Sequence, residues 1–217
     1  MNPALIELII LAGIAVFLFL RLRSVLGTRE GFEKPRMQPK NDAPKRDFKV
    51  IDGGEDKDIT DNVEKNSKSA KALKTIKEKD ETFTVNEFLS GARSAYEWIL
   101  MSFEKNEIDD IRELLSEEVA EAFDSVVEQR ISQGLTIEAE FIGVREMKLV
   151  DASYNSKTNT AEIAVSFIGE MTSVVKNSSG EIVEGDSKQI KRQKDTWTFS
   201  KDIQSSDPNW LLVATGE

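Results

Sequence analysis

Paired carboxylates are the residues of this 217-residue chain that come closest to a catalytic arrangement, because the sequence contains no His and no Cys. His is the commonest general base, and His and Cys together supply most zinc, haem and thiol sites. The pairs Asp109–Asp110 and Glu117–Glu118 are adjacent, and adjacent positions on a helix do not face each other. We interpret them as solvated charge at helix starts, and the sequence therefore predicts no catalytic residue, no metal and no cofactor.

Aromatic side chains are the second chemical feature. If helices covered a curved sheet that stayed open at one end, they could line an apolar pocket for a lipid tail or a peptide side chain. A closed, ordinary core explains them with fewer assumptions. Both interpretations stay open, and the candidate pocket residues are Trp98, Phe103, Phe123, Phe141, Phe167, Trp197, Phe199 and Trp210.

Three helices are predicted to position the first of these residues. The segment "TVNE" at 84–87 is a capping box, and apolar residues then recur at helical spacing to about Glu104. A short helix is predicted over 106–115, and Ser116 caps a third helix that ends at Gly134. The predicted inner stripe of that third helix is Val119, Ala122, Phe123, Val126, Val127 and Ile131.

After Leu135 the apolar period falls to two, which is typical of half-buried strands. Strands are predicted at 136–144, 160–175, 186–203 and 209–215, with a bulge or bend at Gly143 and a turn at 177–180. Hairpin-sized connections predict an antiparallel sheet with helices on one face. The predicted fold class is α+β, in one domain over residues 82–217.

The first twenty residues predict a membrane anchor. Residues 4–20 are apolar except for Glu7, and a helix of that length is at the short end of a bilayer span. Arg21, Arg23 and Arg29 follow the run and no basic residue precedes it. Basic residues favour the cytoplasmic side, so we expect a single-pass inner (plasma) membrane protein with its C-terminal domain on the cytoplasmic side.

The two parts of the chain differ in their balance of charge. Residues 1–81 hold 16 Lys and Arg against 14 Asp and Glu, whereas residues 82–217 hold 13 against 25. An acidic domain is repelled by phosphate backbones, so we expect no nucleic-acid partner. Residues 21–81 are interpreted as a flexible charged linker. Within it, the Lys-rich segment 65–79 is either a solvated nascent helix or a basic helix that contacts anionic lipid or an acidic partner.

Several segments of the domain resemble a known family. The segments "NEFLSGARSAYEWILMSF", "FIGVREMKLVDA", "DTWTFSKDI" and "DPNWLLVAT" are similar to the C-terminal domain of the forty-four-kilodalton Tim subunit, the import-motor scaffold of the mitochondrial inner membrane. The anchor followed by "RLRSVLGTREGFE" resembles bacterial members called TimA. The resemblance implies a cone-like fold related to nuclear-transport-factor-two-like proteins, with an apolar pocket and membrane-associated helices that match residues 88–103 and 108–115.

The resemblance also implies partners. The mitochondrial member binds the seventy-kilodalton heat-shock chaperone and the translocation channel, although its chaperone-binding region is replaced here by the predicted span and linker. We expect a non-enzymatic adaptor that contacts membrane lipid and binds a translocase, chaperone or client protein. One alternative is a membrane-tethered carrier of lipid or another hydrophobic ligand. A second is a nuclear-transport-factor-like enzyme, which would need a buried carboxylate or Tyr that the sequence does not reveal.

Overall fold

The computed structural model describes residues 56–216, which form helices and a four-stranded sheet. This confirms the α+β class for that part of the chain. None of its helices is both long enough and apolar enough to cross a bilayer, and the predicted span at 4–20 and its flanking arginines lie outside it. The α-helices are α1 (Lys57–Thr60), α2 (Lys68–Lys79), α3 (Val85–Glu104) and α4 (Glu117–Ser132), with a 3-10 helix (Ile108–Leu114) between α3 and α4.

The sheet is an antiparallel meander in the order β1-β2-β3-β4. Its strands are β1 (Thr136–Asn155), β2 (Thr160–Lys176), β3 (Ile182–Asp202) and β4 (Leu211–Gly216). The four predicted strands are all present, but β1 runs to Asn155, well past its predicted end. Register shifts after Phe141, Val144 and Leu149 interrupt its alternation, and such bulges hide the period-two signal. The predicted irregularity at Gly143 is confirmed.

The core lies between α3 and the inner face of the sheet. Ala161, Ile163, Val165 and Phe167 of β2 have no exposed surface, which matches the period of two predicted for this strand. From α3, Tyr96 and Ile99 are also completely buried. The predicted inner stripe of α4 is only partly correct, because Val126 is 40% exposed and Ile131 is 62% exposed. This helix contacts β4 and the 3-10 helix, which cover only part of the stripe.

The start of α3 shows how the sequence sets a helix boundary. Thr84 Oγ1 accepts a hydrogen bond from the Glu87 N–H at 3.1 Å, as the capping box predicts. The Phe83 and Phe88 rings lie 6.2 Å apart across this start, in the position of a hydrophobic staple. The remaining N-terminal amides are satisfied from a distant segment, since Asp58 accepts hydrogen bonds from Val85 N–H at 2.8 Å and Asn86 N–H at 2.9 Å.

Residues 56–81 correct the predicted linker. The interpretation of 21–81 as flexible does not hold for this part, because α2 packs against β1 with Leu73 and Ile76 fully buried. Ser69 Oγ also donates to Asp151 Oδ1 at 2.8 Å. The high lysine content suggested a solvated segment, yet one apolar stripe at helical spacing suffices to bury a helix face against a sheet. Residues 21–55 lie outside the described part.

Candidate functional site

An apolar groove with a cavity volume of about 350 Å³ lies between the start of α3, the 3-10 helix and the loop before β4. Its apolar wall includes Phe83, Phe88, Leu114, Phe199 and Trp210. The groove opens between α3 and that loop, where Glu87, Gly91, Pro208 and Asn209 are exposed. The site can therefore accept an apolar group from solvent.

Aromatic rings form the floor of this groove. The Phe88 and Trp210 ring centroids are 4.8 Å apart in an edge-to-face arrangement, and the Phe83 and Trp210 centroids are 5.8 Å apart. Phe199 contacts Phe88 edge-on at 5.9 Å. Such pairs are stabilised beyond their buried area, by about 0.5–1.5 kcal/mol each. The floor is therefore preorganised, which lowers the entropic cost of binding an apolar group.

One rim of the groove is charged. Asp80 lies 3.6 Å from Lys201 Nζ and accepts a hydrogen bond from the Thr82 hydroxyl at 2.5 Å. The hydrogen bonds from Thr82 are the main reason that the pKa of Asp80 is lowered, and Lys201 adds to the effect. Asp80 is thus held as a carboxylate, and Asp80 and Lys201 together present a fixed dipole beside the apolar floor.

The structure brings together only two of the eight predicted pocket residues. Phe199 and Trp210 line the groove. Phe167 and Trp197 lie in the closed core, and Phe141 packs half-buried against the Tyr96 ring at 6.2 Å. Phe103 and Phe123 form a separate pair 4.5 Å apart. Trp98 is 53% exposed and belongs neither to the groove nor to the core.

The Phe103–Phe123 pair belongs to a second, charged cluster at the end of α3. The Arg130 guanidinium stacks 4.3 Å from the Phe103 ring centroid and donates to the Phe103 carbonyl at 3.0 Å. It also lies 3.7 Å from Glu104. Burial raises the pKa of Glu104, and the attraction of Arg130 and Lys191 opposes that shift without cancelling it. These contacts join α3 to α4 and leave no opening for a ligand.

Two groove residues and one buried pair were missed as site residues. Phe83 and Phe88, which flank the capping box at 84–87, were not among the predicted pocket residues, although both line the groove. Tyr96 donates to Asp195 Oδ2 at 2.6 Å, and Asp195 is only 9% exposed. No local pattern reveals this pair, because its members are 99 residues apart.

The Tyr96–Asp195 pair is the buried Tyr and carboxylate that the enzyme alternative requires. Burial, followed by the adjacent Asp195, raises the pKa of Tyr96, so its hydroxyl keeps its proton. Neither residue lines the groove, and Tyr96 has no exposed surface. The pair joins α3 to β3 and does not belong to the groove. Within residues 56–216, no group of acidic side chains is arranged to hold a metal ion.

The helices to which the resemblance assigned membrane contact are turned inward. Phe88, Leu89, Ile99 and Leu100 of α3 and Ile108 and Ile111 of the 3-10 helix are all buried. Trp98 is the large apolar residue that α3 exposes. By contrast, α2 exposes Lys68, Lys71 and Lys74 along one side, so the cationic surface lies on a helix that was assigned to the linker.

Comparisons with known proteins identify a family and several structural likenesses. A family model described as "Tim44-like domain" matches residues 69–217. Among solved structures, the intermembrane space region of the chloroplast protein ARC6 matches with a TM-score of 0.40 and 8% sequence identity, over 59% of this chain and 94% of that chain. No curated protein matches the sequence.

Proposed function

Because the chain belongs to the Tim44-like domain family, we propose that it is a non-enzymatic adaptor in protein translocation that holds an apolar segment of a protein partner in the groove. The observation that carries this proposal is the aromatic floor beside α3, open to solvent and bordered by charge. Buried aromatic anchors surrounded by a polar rim are typical of sites that bind proteins.

The size and chemistry of the groove define the segment it accepts. A volume of about 350 Å³ has room for one or two large apolar side chains, since sites for whole small molecules run from about 300 to 1,000 Å³. The Asp80–Lys201 dipole and the Thr82 and Asn209 side chains at the rim offer hydrogen bonds to the backbone of such a segment. Translocating and newly made membrane proteins expose apolar segments of this kind.

Membrane attachment is the second part of the proposal. Residues 4–20 form the span, and Arg21, Arg23 and Arg29 hold the following domain on the cytoplasmic side of the inner membrane. Lys68, Lys71 and Lys74 of α2 are exposed and attract anionic head groups, each by about 1 kcal/mol near the surface. The tether keeps the groove close to its clients at a high effective concentration.

Photo-crosslinking from the groove tests the adaptor function. A photoreactive amino acid replaces Asn209, which is exposed at the rim, in the full chain expressed in its membrane. We expect adducts with a channel, chaperone or client protein. The variant Gly91→Leu adds a large side chain to the groove lining, at a position where a Cβ meets nothing within 4 Å, and it should reduce the adducts at least fivefold.

The matched control is Ser94→Leu, which places the same side chain on the exposed surface of α3 outside the groove. It should leave the adducts unchanged. Equal losses in both variants, or adducts that persist when the groove is narrowed, would contradict the proposed site.

The carrier alternative is supported by one observation, namely that the groove volume reaches the lower limit of small-molecule sites. A lipid tail could replace the peptide side chain on the same aromatic floor. The same crosslinking experiment separates the two functions: lipid adducts from position 209 with no protein adduct would favour the carrier and defeat the adaptor.

A further inference from the structure

The first part of β3 forms an arm with an open edge. β4 pairs with β3 only from Thr196 to Ser200, so within residues 56–216 no strand pairs with the corresponding edge of residues 182–195. On the other edge, the pairing with β2 passes from Ser173↔Asp186 to Met171↔Lys191. Residues 187–190 therefore bulge away from β2 and leave backbone groups without a strand partner. We call residues 181–194 the β3 arm.

Apolar side chains on the β3 arm are exposed to an unusual degree. Ile182, Val183 and Ile190 are 58%, 54% and 54% exposed. An open strand edge that also exposes β-branched apolar residues favours association with another chain. The arm lies apart from the groove, since none of its residues lines that site.

Charge on the β3 arm is polarised along the strand. Its first half carries Glu181, Glu184 and Asp186, and its second half carries Lys188, Lys191, Arg192 and Lys194. Two of the basic groups have partners on the same chain: Lys191 lies 3.8 Å from Glu184, and Arg192 Nε lies 2.9 Å from Glu170. The Lys191–Glu184 pair is largely exposed, and exposed ion pairs are weak, so they exchange partners easily.

The distribution of charge along the β3 arm indicates which partner fits its open edge. An acidic peptide or an anionic membrane would match the basic half but meet three acidic residues in the other half. A second copy in antiparallel orientation matches both halves at once, because a twofold axis near Ser187 places each acidic half on the basic half of its partner. Isologous pairing of this kind is the commonest symmetry among homo-oligomers.

We infer that the β3 arm is a homodimer contact, in which two copies pair their arms antiparallel about a twofold axis near Ser187. The contact pairs the open backbone edges of the two arms and brings Ile182, Val183 and Ile190 of each copy beside the arm of the other. One arm offers a small area, so the dimer is weak, and confinement of both copies to one membrane raises its population. This inference is independent of the groove and of its ligand.

Disulfide crosslinking in membranes tests the contact, and the absence of native Cys makes each introduced thiol unique. Ser187→Cys in the full chain should form a disulfide-linked dimer under mild oxidation. The matched control is Ser206→Cys, an exposed position in the connection between β3 and β4, which should yield at least fivefold less dimer. Equal yields at the two positions would overturn the proposal, and so would a disulfide to a different protein in place of the dimer.

Charge-reversal variants test whether the acidic half of one arm lies against the basic half of the other. In the Ser187→Cys background, one variant carries Lys188→Glu and Lys194→Glu, and the other carries Glu181→Lys and Glu184→Lys. Each variant alone should lose at least fivefold in dimer yield, because like charges then face each other. Co-expression of the two, distinguished by a size tag, should restore a mixed dimer, which also shows that both variants fold. Undiminished yields in the single variants, or no mixed dimer, would overturn the proposal.

Discussion

At the scale of the residue, buried hydrogen-bonded groups contribute more than surface charge to this domain. Asp195 accepts hydrogen bonds from Tyr96 at 2.6 Å and from Gln193 Nε2 at 3.0 Å, and so joins α3 to β3. A buried carboxylate that loses a donor bears an uncompensated desolvation cost. The Tyr96 ring also stacks on Phe167 at 4.3 Å between centroids, which fixes the hydroxyl in place.

Removal of the Tyr96 hydroxyl should therefore be costly. We expect Tyr96→Phe to lower the free energy of unfolding by about 1–3 kcal/mol, measured by urea denaturation. The control is Tyr154→Phe, which removes a hydroxyl bonded to Asn159 Oδ1 at 3.0 Å at a half-buried position. Tyr154→Phe should lower the free energy of unfolding by less than half as much. Equal losses of stability in the two variants would show that the Tyr96–Asp195 hydrogen bond contributes no more than the half-buried one.

A glycine beside the same hydroxyl provides a steric test. A Cβ on Gly169 would lie 2.7 Å from Tyr96 Oη, so Gly169→Ala should displace the ring and destabilise the domain by about 1–3 kcal/mol. Gly91→Ala is the matched change, because Gly91 lies within α3 and its Cβ would meet nothing within 4 Å. It should stabilise by about 0.5–1 kcal/mol through helix propensity. Thermal unfolding of both variants gives opposite shifts if these contacts are correct.

At the scale of the element, the shortest helix has a large structural role. The four-residue α1 is too short to be stable in isolation, yet its Asp58 bonds two N-terminal amides of α3 and Lys77 Nζ of α2, the latter at 2.9 Å. A carboxylate at a helix N-terminus is stabilised by both the free amides and the helix dipole. The Asp58 side chain therefore links α1 to both α2 and α3 through hydrogen bonds.

Asp58 makes the stability of this junction depend on pH. Partial burial alone would raise the pKa of Asp58, but the bonds from Lys77, Val85 N–H and Asn86 N–H lower it overall. A carboxyl with a lowered folded-state pKa stabilises fully above its unfolded pKa, about 3.9, and loses that contribution as pH falls toward the folded value. Asp58→Asn should cost about 1 kcal/mol at pH 7, and the difference should shrink toward pH 2.

Urea unfolding across this pH range measures the effect. Asp61→Asn is the control, because Asp61 is exposed at the end of α1, and its curve should follow the wild type. If the free energy of unfolding of wild type and of Asp58→Asn differed by a constant amount down to pH 2, the charge of the carboxylate would not be what stabilises the contact between α1 and α3.

At the scale of the whole molecule, the proposed function depends on the side of the membrane on which the domain is proposed to lie. The proposed topology follows from basic residues after the span. Exposed positions of the folded domain can report on this topology directly, since the chain has no native thiol. The turn at 177–180 between β2 and β3 is suitable, because Ser179 is exposed and its side chain is small.

Labelling of Ser179→Cys with a membrane-impermeant maleimide tests this topology. We expect no labelling in cells with an intact inner membrane and full labelling after lysis, because the proposed topology places the domain on the cytoplasmic side. Deletion of residues 1–26 should move the protein to the soluble fraction. Labelling before lysis would contradict the proposed orientation. Retention of the deleted form in membranes would show that the folded domain itself binds lipid.

The sequence by itself determined the local elements of the domain. The caps at Thr84 and Ser116 and the inward residues of β2 were all predictable, because hydrogen-bonding side chains and apolar period act over a few residues. Family resemblance was also readable from short segments. The length of β1 was not, since its bulges broke the alternation on which the prediction depended.

Only the tertiary structure decided which aromatic residues line the groove and which polar groups are buried. Periodicity identifies the face of an element that is apolar, but the neighbours that cover that face come from distant parts of the chain. Trp98 is exposed, Trp210 lines the groove, and Asp195 is buried beside Tyr96 for this reason. The packing of α2 on β1 is a further example. A lysine-rich helix can pack against a sheet if one of its faces carries an apolar stripe, and the sheet that covers this stripe comes from a distant part of the chain.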